Sequence, residues 1–387
     1  MKFARAACTA ACAALLVLVT AGCDKEKEAE PPAELVDLRP TLAVDKLWDA
    51  NVDGDAEKLR LALGLALDDG TLYAASREGS VEALDPATGK RRWTATTKAE
   101  FSAGPGVGPS VIAVGTNDGD VIAFDKSGKR LWKSTVSGEV LAAPLVTGDR
   151  VIVRTVDGRL RSLEATTGKE QWSAEEPVPR LSLRGTAPPV LAGDTVLAGF
   201  DSGKVVAFAL ATGDVLWQSQ VSTPRGRSEL ERLADVDGAV HTEGEDGYAV
   251  GYQGRVVMFA LGSGQVWWGR DLSSYRGLAL DGDQLYVATS DGSVVALRRR
   301  DGTVLWQQEG LKRRGLSAPA VVGNAVMVGD FEGYLHWLDR DTGKFVARER
   351  PGDERISAAP VVDGQRVFVI DEGGRIVAYS VGGNAGK

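Results

Sequence analysis

The chain has 387 residues, 43% of them hydrophobic and 25% charged, with a formal net charge of −8. That length leaves room for two domains, and the acidic balance argues against nucleic acid or an anionic bilayer surface as a partner. Glycine is abundant (47) and aromatics are sparse apart from nine tryptophans, which suits a chain of many tight turns with one large apolar residue placed at intervals.

Residues 1–22 read as a lipoprotein signal peptide. Lys2 and Arg5 make a short basic start, and the apolar run from Ala6 to Val19 is too short to cross a bilayer comfortably. Thr20-Ala21-Gly22-Cys23 resembles a bacterial lipobox, in which the cysteine is lipidated; the fit is good at the last three positions and looser at Thr20. The alternative is an ordinary signal peptide that happens to contain a cysteine. Cys23 is the only cysteine beyond the apolar run, so the mature chain has no internal disulfide to form. A lone cysteine at the start of a secreted protein needs a special reason, and lipid attachment supplies one. Loss of Lys2 and Arg5 takes the charge from −8 to −10. Residues 23–40 are charged and carry Pro31-Pro32; they are expected to bury nothing and to act as a flexible tether. Asp24 follows the lipobox cysteine, and in some enteric bacteria an aspartate there retains a lipoprotein at the inner membrane, so the choice of membrane stays open.

From residue 41 to 382 one pattern repeats. Its opening glycine falls at Gly79, Gly119, Gly158, Gly203, Gly254, Gly292, Gly333 and Gly374, at intervals of 40, 39, 45, 51, 38, 41 and 41 residues. A tryptophan follows at a nearly constant offset: Trp93, Trp132, Trp172, Trp217, Trp268 and Trp306. A period near 40 made of short strands marks a radial β-repeat. In the third copy four strands are predicted, within 143–146, 150–154, 160–163 and 170–172. Asp157-Gly158 makes one hairpin turn and Thr166-Thr167-Gly168-Lys169 the next. Such a sheet cannot bury both faces alone; packing face to face in a ring does so.

The expectation is therefore an all-β fold, an eight-bladed β-propeller of four-stranded antiparallel blades. The last copy ends at Val381 without a fourth strand, and Asp45–Ala50, which contains Trp48, supplies it from the N-terminus. Seven blades is the alternative count, because Ala347 stands where the seventh tryptophan should be. Trp337 occupies a position that is usually alanine, which reads as a volume exchange inside one blade interface. The tryptophans are expected to be core. Residues 383–387 are expected to be a disordered tail.

The run Ala83-Leu84-Asp85…Thr88-Gly89-Lys90…Trp93 resembles the pyrroloquinoline-quinone-type propeller repeat rather than WD40. Enzymes with that repeat bind quinone and calcium at the axis beside a vicinal disulfide, and this chain has no Cys-Cys pair. His241 and His336 are its only histidines and are not clustered with other ligands. Asp85, Asp125 and Asp339 recur at one repeat position as turn-formers. Gly104–Gly108 lacks the lysine of a phosphate loop. No catalytic residue, metal site or cofactor is expected.

What one copy alone carries is candidate function. The two longest intervals, 45 and 51 residues, contain Pro179-Arg180-Leu181-Ser182-Leu183-Arg184-Gly185-Thr186 and Glu229–Gly238. Both join the last strand of one blade to the first of the next, so they emerge on one face. They are expected to present Leu181 and Leu183 beside basic Arg184 and acidic Asp235 and Asp237, an apolar centre rimmed by charge. The bland alternative is that Arg184 merely bridges to Asp235 or Asp237 while the leucines tuck into the rim.

Leu-Ser-Leu-Arg-Gly at 181–185, Arg232–Asp237 and Gly329–Asp339 resemble the BamB family, the lipoprotein propellers of the outer-membrane β-barrel assembly machinery, over residues 41–381. The resemblance implies a non-catalytic scaffold at the outer membrane, anchored by lipid and facing the periplasm. It implies docking to the POTRA domains of BamA within the Bam complex, contact with unfolded outer-membrane proteins, and help in their insertion. The matching positions are Leu181, Leu183, Arg184, Asp235 and Asp237; the departure is Gly238-Ala239, where the family more often leads into a proline. The rival readings are an envelope sensor or ligand-binding propeller and a quinone-dependent dehydrogenase-like protein.

Overall fold

The computed structural model describes residues 30–52, 62–183 and 187–382. Glu30–Pro32 form a separate unit without helix or strand. The unit that begins at Ala33 contains eight sheets, and no helix occurs among the described residues. Blade 1 is Leu65–Asp68, Thr71–Ala75, Ser80–Leu84 and Arg91–Thr96, and blades 2 to 7 repeat that order along the chain. Blade 2 has a fifth strand, Ala62–Leu63, laid parallel against Phe101–Val107.

Burial explains the sequence pattern strand by strand. Middle strands such as Thr71–Ala75 and Val111–Thr116 are buried at every residue, so they read as unbroken apolar runs. Outer strands such as Arg130–Thr135 have one face in the core and one in water, so they alternate. The hydrophobic core lies between neighbouring blades. One cluster joins Val121 and Trp132 of blade 2 to Val151 and Leu163 of blade 3.

Each outer-strand tryptophan ties its blade to the next. Trp93 donates its indole N–H to Lys126 O, Trp132 to Ala165 O and Trp217 to Leu261 O, at 2.8 to 2.9 Å. The ring lies on the turn glycine of that next blade: a Cβ on Gly89 would stand 2.5 Å from Trp48, and the φ there is +69°. The Thr-Gly-Lys turn thus needs glycine twice, for its left-handed backbone and for the tryptophan above it. Asp85 closes the same turn by accepting from the N–H groups of Ala87 and Thr88, as expected of a turn-former.

Blade 8 closes the ring. Val44–Asn51 pairs antiparallel with Arg375–Val381, from Val44 opposite Val381 to Asn51 opposite Arg375. The count is eight, and the seven-blade alternative is excluded. Trp337 stands opposite Ala347 and is fully buried edge-on to Tyr379, so the volume exchange holds.

The expectation that residues up to 40 bury nothing is corrected from Ala33 onward. The N–H of Ala33 donates to Lys312 O at 2.9 Å, and Arg348 donates to Val36 O at 2.8 Å. Leu35 packs against the core between blades 6 and 7. Arg348 also donates to His336 Nδ1, whose Nε2 faces Asp330 Oδ2 at 3.0 Å; this imidazole is buried and structural. Charge and proline content concealed these backbone contacts, which any sequence can make. The leader with Cys23, and the tail at 383–387, lie outside the described residues.

Candidate functional site

The two lengthened connections meet. Residues 176–189 follow blade 3 and residues 221–240 follow blade 4. The backbone N–H of Leu183 donates to Asp235 Oδ1 at 2.7 Å. Asp235 is held by its own backbone too: its carbonyl accepts from Tyr252 N–H at 2.7 Å, and the next residue, Val236, donates to Phe200 O. Leu233, Ala234 and Val236 are buried, so this connection is seated in the ring rather than looped out.

On that seat the leucines stand out. Leu181 is 43% exposed and Leu183 37%. They do not tuck into the rim. Leu230 of the second connection, 65% exposed, adds a third apolar side chain that spacing did not single out. Arg184 lies outside the described residues.

The acidic pair is where the expectation changes. Asp235 and Asp237 are buried, not a charged rim. Asp235 receives the Leu183 N–H, and the connection that carries both aspartates is bonded back to Phe200 and Tyr252. A third carboxylate, Asp201 of blade 4, joins them: an oxygen from each lies within 4.8 Å of the others. Asp201 in turn accepts from Arg154 Nη2 of blade 3, and both side chains are almost fully buried. Burial pushes the Asp235 carboxyl up to about 6, with the Asp201 charge adding to the rise and the Leu183 N–H opposing it.

Spacing alone would admit a cation among these three carboxylates. The donors in place argue otherwise: Arg154 lies against Asp201 and the Leu183 N–H takes one oxygen of Asp235. Hard divalent ions need six or more oxygen ligands. Asp237 also lines a cavity of about 620 Å³, together with Pro188, His241, Tyr275, Arg276, Pro319 and Pro360.

Sequence reasoning missed Arg154 and Asp201, although a signal was present. Arg154 stands four residues before its repeat glycine, where the other copies have small or apolar residues such as Ala75, Gly115, Gly199 and Ala288.

Known proteins agree with this layout. A family model described as outer membrane protein assembly factor BamB matches residues 45–102, 77–308 and 290–385. The chain is 43% identical to the outer membrane protein assembly factor BamB of Pseudomonas aeruginosa over 374 residues, covering 95% of this chain and 98% of that protein. It is 39% identical to its Bordetella pertussis counterpart over 366 residues, covering 93% and 94%. The crystal structure of BamB from Moraxella catarrhalis superposes with a TM-score of 0.80 at 28% identity, covering 87% of this chain and all of that one. Quinohemoprotein alcohol dehydrogenase from Comamonas testosteroni gives a TM-score of 0.71 at 14% identity, over 89% and 77%, a likeness of fold alone. Kinship thus lies with assembly factors and not with those oxidoreductases. The chain belongs to the BamB family of outer membrane protein assembly factors.

Proposed function

We propose that this protein is a non-catalytic scaffold lipoprotein of the outer-membrane protein assembly complex, and that it binds the POTRA domains of BamA through Leu181, Leu183 and Arg184. The observation that carries the reading is the Leu183 N–H bond to the buried Asp235 carboxylate. It fastens one lengthened connection onto the other, so two leucines are offered to a partner from a preorganised base and little ordering entropy is lost on docking. Exposed leucines over a rigid seat supply the buried area of such an interface. Asp235 and Asp237 act from below, as supports for the loop.

Lipid attached at Cys23 would hold the ring on the periplasmic side of the outer membrane, where the ring would grip and orient BamA during insertion of β-barrel proteins and meet their unfolded chains. Mass spectrometry of the mature N-terminus tests the anchor: a diacylglyceryl group on Cys23 is expected, and an unmodified cysteine rules the anchor out. Co-purification of BamA with a Leu183→Asp variant tests the docking face. Loss of BamA with an intact propeller is expected; recovery equal to that of the native chain rejects the face.

A further inference from the structure

Blade 3 carries a buried charge, Arg154, at a repeat position where the other copies have small or apolar residues. Four residues before the repeat glycine, blades 2, 4 and 7 have Gly115, Gly199 and Gly329. There the connection to the next blade packs a β-branched side chain directly on the glycine. A Cβ would come within 2.3 to 2.7 Å of a side-chain atom of Val140, Val236 and Ile356 respectively. An arginine has no room under so close a contact. Blade 3 has Arg154 at this position, and the connection that follows blade 3 is one of the two that are lengthened.

Arg154 crosses to the next blade. Its Nη2 donates to Asp201 Oδ1, and its guanidinium lies 5.3 Å from the centre of the Phe200 ring. Ring closure does not account for the pair. Arg154 Nε and Nη1 and Asp201 Oδ2 are buried without a hydrogen-bond partner among the described residues. A buried ion pair with unmet hydrogen bonds is on average no more stabilising than apolar side chains of the same volume. Its value must lie in what it holds. The Asp201 carboxylate is grouped with those of Asp235 and Asp237, and Asp235 receives the Leu183 N–H.

We propose that Arg154 and Asp201 are positioning residues for the docking face: their buried ion pair between blades 3 and 4 holds Asp235 where it captures the Leu183 backbone, and so sets how the two leucines are presented. This rests on the docking reading above. Neither residue touches the partner, because both lie beneath the surface. Arg154 offsets the charge of Asp201, so Asp235 can stay ionised next to it and accept a charge-assisted bond. Without Arg154 the carboxylates repel and the leucine loop loosens.

The test is the affinity of the full mature chain for the purified POTRA segment of BamA, measured from about pH 5 to about pH 8. Leu183→Asp serves as the reference for loss of the face. Arg154→Met is expected to weaken binding by about tenfold at neutral pH, the size of one lost bond to a charged group. The acid midpoint of its binding curve should move up, since Asp201 then faces Asp235 unneutralised. Arg154→Lys restores affinity and midpoint. Asp201→Asn, which is isosteric and keeps the fold if Arg154→Met does not, moves the midpoint down. Opposite shifts from the two partners cannot come from a general loosening of the ring. If Leu183→Asp abolishes binding while Arg154→Met and Asp201→Asn bind with the native affinity and pH profile, the positioning role is overturned and the docking face stands. If Leu183→Asp itself binds like the native chain, the docking face is overturned.

Discussion

Trp337 stands directly opposite Ala347 in blade 7, the reverse of Ala83 opposite Trp93, Ala207 opposite Trp217 and Ala296 opposite Trp306. The reversal has a cause in the closure. Seven outer-strand tryptophans each donate to the turn of the following blade, ending with Trp306 on Arg340 O. Blade 8 has no such turn, because its third and outer strands are the two ends of the chain. A tryptophan at 347 would find neither carbonyl nor glycine to receive it, and the volume moves inward to Trp337.

Trp337→Ala is therefore expected to lower stability by about 3–5 kcal/mol, as for a large buried aromatic elsewhere. Adding Ala347→Trp to it should not restore the loss, although total volume is conserved. Urea unfolding of the two variants checks this; recovery in the double variant contradicts the turn-based explanation.

Two adjacent tryptophans in blade 5 separate core from surface. Trp268 donates to Arg299 O at 2.8 Å and lies on Gly302, while Trp267 is 55% exposed. Trp268→Ser should lower the melting temperature by several degrees, and Trp267→Ser should leave it nearly unchanged. Differential scanning calorimetry reads both.

Much of the ring was legible because glycine and tryptophan each answer to one geometric demand. Gly89 must lie under Trp48, and Trp48 must reach Pro86 O, so neither can drift without loss. The meeting of the two long connections was legible for the same reason, since equivalent connections share a face. Depth was not. Asp235 reads as a surface charge in any window of sequence, and only its backbone bonds to Tyr252 and its neighbour's bond to Phe200 draw it inward. Arg154 breaks the repeat in plain view, but an arginine within a strand does not by itself reveal that its side chain is buried against the next blade. The docking of Ala33 and Val36 was invisible, since it runs through backbone groups that carry no residue code.

Buried Asp235 and His336 should give opposite pH dependences. Burial raises the Asp235 carboxyl from 3.8 to about 6, so its contribution to stability is present below the unfolded value and is lost as pH rises through about 6. Burial lowers the His336 imidazole below 6.5, against the pull of Asp330, so its contribution is present above 6.5 and is lost as pH falls through the folded value. Asp235→Asn should melt higher than the native chain near pH 8, with the advantage gone by about pH 4. His336→Gln should melt lower near pH 8 but show a flatter acid limb. Melting temperatures across that range decide both signs.

Arg348 holds the incoming chain through Val36 O while its Nε serves His336. Arg348→Ala should release residues 33–40 from the ring without opening the blades. Limited proteolysis then cuts that segment faster, while hydrogen exchange in the middle strand Ala325–Gly329 stays slow. Equal cleavage rates in both proteins contradict the clamp.

Leu183 is fastened at its backbone by Asp235 and exposed at its side chain. The most direct measurement is the dissociation constant of the mature chain for the BamA POTRA segment, native against Leu183→Asp, with circular dichroism to verify that the ring is intact. At least a hundredfold weaker binding is predicted, about 2.7 kcal/mol, as for a central apolar anchor replaced by a charge. An unchanged constant in a folded variant contradicts the docking face.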